Sequence, residues 1–130
     1  MVSKVLFSSM SPSYATPEWL FRELDNEFNF NYDPCPISDN AIDGLLTEWG
    51  TRTFCNPPYG RNIGKWIMKG YQESRENGKL VVFLIASRTD TRWWHEYVMK
   101  AEEIRFIRGR LKFGDTKQNA PFPSCVVIFK

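Results

Sequence analysis

The sequence predicts an α/β layered sandwich built on a mainly parallel sheet. Three observations carry this. Apolar residues switch repeatedly between helical and strand spacing along the chain. The run Leu80-Val81-Val82-Phe83-Leu84-Ile85-Ala86 is continuously apolar, as suits a central strand buried on both faces. A length of 130 residues, 42% of them apolar, fits one domain with a real core.

The elements follow in order. Ser8 to Tyr14 is small and polar and reads as loop. Thr16 can cap a helix that has Pro17 at its first position and Glu18 in the first turn. Trp19, Leu20, Leu24 and Phe28 recur at helical spacing, which predicts a helix from Pro17 to Glu27. Phe28-Asn29-Phe30-Asn31-Tyr32 alternates and predicts a strand, stopped by Asp33-Pro34-Cys35-Pro36. Ser38 to Gly44 is loop-like. Thr51 to Cys55 is a short strand running into Asn56-Pro57-Pro58-Tyr59-Gly60. Ile63, Trp66, Ile67, Gly70 and Tyr71 share a helical face, and that helix fades near Asn77-Gly78. After the apolar strand, Thr89 or Asp90 can cap a helix over Thr91 to Lys100. Ile104 to Ile107 and Cys125 to Phe129 are the last strands. A Gly/Asp/Asn/Pro-rich loop joins them, which allows the C-terminal strand to return antiparallel.

Composition narrows the function classes. The net charge is only +2, so a nucleic-acid partner requires a local basic patch. Three cysteines without CxxC spacing indicate neither a disulfide framework nor a zinc site. His95 is the single histidine, which disfavours imidazole-rich metal sites. No apolar run is long enough to span a membrane, and Met1 to Met10 lacks a signal-peptide core. A reduced, cytoplasmic setting without metal is expected. Oligomeric state is not legible.

Asn56-Pro57-Pro58-Tyr59 is the strongest motif. It follows a predicted strand, where open α/β sheets place ligands. The Asn56 amide oxygen can accept from an exocyclic amine. Prolines stiffen the loop and can hold the Pro57 carbonyl as a second acceptor. Two acceptors on one NH2 group draw it toward a tetrahedral nitrogen able to attack an electrophilic methyl group. Tyr59 offers a stacking face, worth about 1–3 kcal/mol per base. The bland alternative is a double-proline turn with an aromatic lid. The chemical reading requires the corner to open on a cleft.

The sequence resembles the phage-type family of small DNA adenine-N6 methyltransferases over nearly its whole length. The resemblance rests on Thr16-Pro17-Glu18-Trp19-Leu20, Tyr32-Asp33-Pro34-Cys35-Pro36, Phe54 to Gly60 and Gly64-Lys65-Trp66. It continues through Ser87-Arg88-Thr89-Asp90-Thr91, Trp94-His95, Phe106 to Gly114 and Ala120 to Ser124. It implies a single Rossmann-like methyltransferase domain, with S-adenosylmethionine as donor and DNA as partner. It implies catalysis by Asn56, Pro57, Pro58 and Tyr59. It places the donor beside Asp33, Pro34 and Cys35, with Thr16, Pro17 and Trp19 from the N-terminal segment and Asp43 and Leu45 toward the adenosine end. The chain departs from the wider pattern at Cys35-Pro36-Ile37-Ser38, where a GxG would stand. Related motifs also serve cytosine-N4 and protein-glutamine methylation, and a catalytically inactive DNA-binding remnant could keep the fold.

Arg105, Arg108, Arg110 and Lys112 form a basic tract with Phe106 and Phe113 interleaved. Arg61 and Lys65 flank the motif, and Arg88 and Arg92 follow the central strand. Arg61, Lys65, Arg88, Arg108, Arg110 and Lys112 are the DNA-binding candidates; a solvated strand edge is the alternative. At this length specificity falls to loops such as Gly114 to Asn119.

Overall fold

The computed structural model describes residues 15–35, 43–113 and 119–130. The loop read over Ser8 to Tyr14, residues 36–42 of the GxG departure and its following loop, and 114–118 of the proposed specificity loop lie outside them. The elements are α1 (Glu18–Phe28), β1 (Arg52–Cys55), α2 (Ile63–Asn77), β2 (Leu80–Ala86), α3 (Arg92–Glu96), β3 (Glu103–Phe106) and β4 (Ser124–Phe129). A 3-10 turn, Val98–Lys100, follows α3.

The sheet has the order β1-β2-β4-β3. β1 and β2 are parallel, whereas β4 is antiparallel to both β2 and β3. The expected mainly parallel sheet is therefore corrected to a mixed, mostly antiparallel one; the antiparallel C-terminal strand is as expected. The physical reason lies between Phe106 and Ser124. No crossover helix follows β3 among the described residues, and a parallel neighbour needs such a crossover. β1, β2 and β3 nevertheless point the same way, so β4 alone is reversed.

Alternation along β2 sends side chains to two cores. Val82, Leu84 and Ala86 join Leu20, Phe21 and Leu24 of α1. Val81, Phe83 and Ile85 join Ile63, Trp66 and Ile67 of α2, with Trp94 and Val98. Helices thus cover both faces of the sheet, which is the layered arrangement expected. Gly70 lets α2 approach closely: a Cβ there would lie 2.4 Å from the Phe83 ring. α2 ends at Gly78, whose φ of 68° is left-handed, with Gly78 N–H donating to Ser74 O.

Three local expectations change. Pro17, not Thr16, is the N-cap of α1, and no side chain caps that helix. The Phe28–Tyr32 strand reduces to one parallel bridge, Tyr32 to Thr53. Phe28 completes α1, and Asn29 turns out of the helix at φ 54°. Thr91, rather than Thr89 or Asp90, caps α3 by accepting from Trp94 N–H. The helix expected to reach Lys100 breaks at Tyr97, whose φ of −124° is not helical. Tyr97 instead packs its ring 5.4 Å from Tyr71.

At the amino ends of β1 and β2, Lys79 is buried in a polar cluster. Its Nζ donates to Glu73 at 2.9 Å, to Glu48 at 3.0 Å and to the Trp49 carbonyl. Lys69 also pairs with Glu73, at 2.8 Å. Burial alone would raise the Glu73 carboxyl, but bonds from Lys69 and Lys79 hold it down at about 2.

Candidate active site

β1 ends at Cys55, so Asn56 begins the chain's exit from the sheet. Beside it runs the Tyr32 bridge, closed by Phe54 N–H to Tyr32 O at 3.0 Å and Asn31 N–H to Arg52 O at 2.8 Å. Asp33, Pro34 and Cys35 therefore leave the sheet next to Asn56. This is the carboxyl end of β1 and β2, the edge where open α/β sheets bind ligands.

Asn56 is completely buried. Its Nδ2 donates to Thr16 Oγ1 at 3.0 Å. The Thr16 hydroxyl, expected to cap α1, is thus directed at the motif. Pro57 is buried, and Pro58 and Tyr59 are half-buried. Among the described residues the expected open cleft is not seen at Asn56, whose side chain has no exposed surface. Tyr59 stands in an aromatic cage. Its ring centroid lies 5.2 Å from Phe122 and 6.2 Å from Phe113, both edge-on. Its hydroxyl donates to Leu84 O at 3.4 Å. Such contacts fix the ring plane.

Asp33 is buried, with Oδ1 accepting from Cys35 N–H at 2.8 Å. Its Oδ2 is enclosed and has no hydrogen-bond partner among the described residues. Burial pushes this carboxyl well above the usual range, against the lowering effect of the Cys35 bond. Burial also pushes the Cys55 thiol up, reinforced by Cys35 and Asp33. Cys35, Asp33 and Cys55 therefore lie close together in the buried interior, and the Cys55 thiol stays protonated and unreactive.

Asp43 and Leu45 sit in a turn, where Asp43 Oδ1 accepts from Leu45 N–H at 3.0 Å. Gly44 packs that turn against the Asp33 segment: a Cβ on it would lie 2.2 Å from Pro34 O. Trp49 Nε1 pins the turn by donating to Gly44 O at 2.7 Å. The structure thus gathers Asp33, Pro34, Cys35 and the 43–45 turn at one strand end. Trp19 is on the exposed side of α1, away from the helix's buried face.

All six cationic candidates are exposed. Arg88 follows β2 and lies over the Phe122 ring at 5.8 Å, which places it beside the Tyr59 cage. Arg110 and Lys112 face outward while Leu111 and Phe113 point into the core, and Arg108 precedes them in the same segment. Arg61 and Lys65 flank the start of α2. Arg105 differs from its tract: it is bound bidentately by Glu27, at 2.7 and 2.6 Å, and by Glu103. A basic residue so neutralised is a poor phosphate contact. His95 is exposed and bonds the Thr89 carbonyl, away from the motif. Phe122 and the Thr16 bond were not singled out from sequence; only the distance along the chain between these residues and the motif hid them.

Among the described residues no group of His, Cys, Asp and Glu could hold a metal, and no helix is long and apolar enough to cross a membrane. A cavity lined by Tyr71, Ser74, Arg75 and Lys100 lies beside Phe129, at the opposite end of the sheet from the motif.

The family model described as DNA N-6-adenine-methyltransferase (Dam) matches residues 6–129. A DNA N-6-adenine-methyltransferase of Haemophilus phage HP1 (strain HP1c1) is 28% identical over 136 aligned positions, covering 90% of this chain and 78% of the relative. No solved structure matches significantly.

Proposed function

The chain belongs to the DNA N-6-adenine-methyltransferase (Dam) family, and from that membership we propose that the buried corner after β1 is where it methylates adenine in DNA. The family description specifies adenine N6, which decides among the amine and amide substrates that the motif alone left open. The observation that carries the assignment of the site is the placement of Asn56 and Asp33 on adjacent strand exits, joined through the Tyr32 bridge.

Each residue has a role in this reading. Asn56 is enclosed in the unliganded molecule, so the groups packed over it move aside when substrate enters; Asn56 Oδ1 and the Pro57 carbonyl then accept from the adenine amine and orient its lone pair. Tyr59, held by Phe113 and Phe122, stacks on a base flipped out of the duplex. Catalysis then comes from positioning and from acceptors aimed at the charge that develops on nitrogen. Arg61, Lys65, Arg88, Arg108, Arg110 and Lys112 track the DNA backbone around this rim. A cytoplasmic setting, in a bacterial or phage-infected cell, suits such a substrate.

S-adenosylmethionine, when bound, supplies a methyl group activated by its sulfonium. The residues fit such a donor. Asp33 offers a buried carboxyl whose Oδ2 has no hydrogen-bond partner among the described residues. Pro34, Cys35 and the Asp43–Leu45 turn wall the same strand end, and Thr16 and Pro17 complete it from the start of α1, with Trp19 left exposed. A Rossmann-like reading of the fold, as one minimal catalytic domain over residues 1–130, accords with three strands sharing one direction and a ligand rim at their carboxyl ends.

Asn56→Ala tests the site. Loss of one such stabilising contact costs on the order of 100- to 1000-fold in rate. Tritiated-methyl transfer should fall by that factor, with label from wild type recovered as N6-methyldeoxyadenosine and donor binding retained in the variant. Incorporation equal to wild type overturns the assignment.

A further inference from the structure

We propose that Thr16 is a positioning residue for the catalytic amide: by holding Asn56 Nδ2, its hydroxyl turns Oδ1 toward the adenine amine. This rests on the reading of Asn56 given above. An Asn side chain is nearly symmetric in shape, so packing alone does not choose which end faces the substrate. The choice matters here. Presenting Oδ1 offers an acceptor to the amine, whereas presenting Nδ2 sets two donors against each other. In a side chain with no solvent exposure, the hydrogen-bond partners make that choice.

Thr16 is one such partner. Nδ2 lies 3.0 Å from Thr16 Oγ1, across 40 residues of sequence. Thr16 stands next to the N-cap of α1, where a Thr hydroxyl would ordinarily serve the helix. That helix has no side-chain cap, and the hydroxyl goes to Asn56 instead. The bond also links the segment at the start of α1 to the end of β1, so the geometry of the amide depends on how that segment is seated. This role differs from a contact with the donor, which the family resemblance alone would give Thr16.

The test compares Thr16→Val, which keeps the shape and removes the hydroxyl, with Thr16→Ser, which keeps the hydroxyl. Steady-state methylation is measured at saturating DNA and S-adenosylmethionine, and donor Kd by calorimetry. Because a misplacement of about 1 Å costs on the order of 100-fold, kcat of Thr16→Val should fall about 10- to 100-fold, and Thr16→Ser should restore most of it. An unchanged kcat in folded Thr16→Val overturns the proposal, whatever happens to donor affinity. A second measurement needs no variant to fold. In wild type, nuclear Overhauser contacts should join the Asn56 side-chain NH2 to the Thr16 methyl; contacts from that NH2 to other groups only would place Oδ1 on Thr16 and overturn the proposal. Failure of Asn56→Ala to lose activity would instead remove the reading of the motif on which this one stands.

Discussion

Replacing Asp33 by Asn separates a ligand-site carboxyl from an ordinary packed one. The group is 9% exposed, with one oxygen on Cys35 N–H and the other enclosed without a partner among the described residues. Burial holds its pKa well above the usual range. In the unfolded chain an Asp titrates near ~3.9. The folded value is the higher one, so the folded state keeps a proton that the unfolded state has released. The stability linked to that proton is fully present below about pH 4 and is lost as pH rises through the folded pKa. Within this window wild-type stability should fall by about 1.4 kcal/mol per pH unit relative to the amide variant, which does not titrate. Burying the new NH2 group adds a fixed cost of about 1–3 kcal/mol, which shifts the variant's curve without tilting it. Urea unfolding of both proteins between about pH 4 and 8 reads the slope, with all other groups cancelling. Donor affinity supplies the second readout. Losing the carboxyl as a hydrogen-bond partner should weaken S-adenosylmethionine binding about tenfold, or ~1.4 kcal/mol. Parallel stability curves refute the burial argument, and unchanged donor affinity refutes the role given to Asp33.

Two further outcomes follow from charges elsewhere. Glu73 is held at about 2 against an ordinary 4.5, so its contribution is present above pH 4.5 and lost as pH falls toward 2. Glu73→Gln should therefore cost roughly 3 kcal/mol at neutral pH, and its deficit should shrink in acid; urea midpoints equal to wild type at pH 7 would contradict this. Arg88→Ala should reduce the salt dependence of DNA affinity by about 0.9 in log–log slope, as for one lost phosphate contact. Arg105→Ala should leave that slope unchanged because Glu27 and Glu103 already occupy the guanidinium; fluorescence anisotropy at several salt concentrations distinguishes the two.

Local chemistry made much of the fold legible. The apolar run Leu80 to Ala86 is β2 residue for residue, because burial on both faces writes itself as unbroken hydrophobicity. Asn77-Gly78 marks the end of α2 because a left-handed residue is needed there. Helix α1 was legible from its spacing, although its buried face runs through Leu20, Phe21 and Leu24 and leaves Trp19 outside. The sheet's directions were less legible. Strand polarity is set by what connects the strands, and the segment between β3 and β4 carries no periodic signal. Phe28 to Tyr32 alternates like a strand, yet Phe28 belongs to the helix and Pro34 curtails pairing on the other side. In the site, the motif and Asp33 could be read because each sits at a strand exit. The Thr16 bond and the Phe122 wall could not, since both join residues far apart in sequence. Arg105 read as part of a basic tract because Glu27, which binds its guanidinium bidentately, lies 78 residues away in sequence.

The position of β4 governs the order in which this chain can assemble. Among the described residues β3 pairs with the sheet only through β4, and β2 has β4 as its neighbour on that side. As the polypeptide leaves the ribosome, β1 and β2 can pair at once, but β3 has nowhere to dock until Ser124 to Phe129 emerges and wedges between them. Until that moment β2 carries a bare hydrophobic edge, the kind of surface that recruits other chains. A nascent molecule halted before Ser124 therefore retains its motif and both partners of the Tyr32 bridge, yet lacks the strand that shuts the sheet. Such a fragment should be prone to aggregate and easily cleaved by proteases.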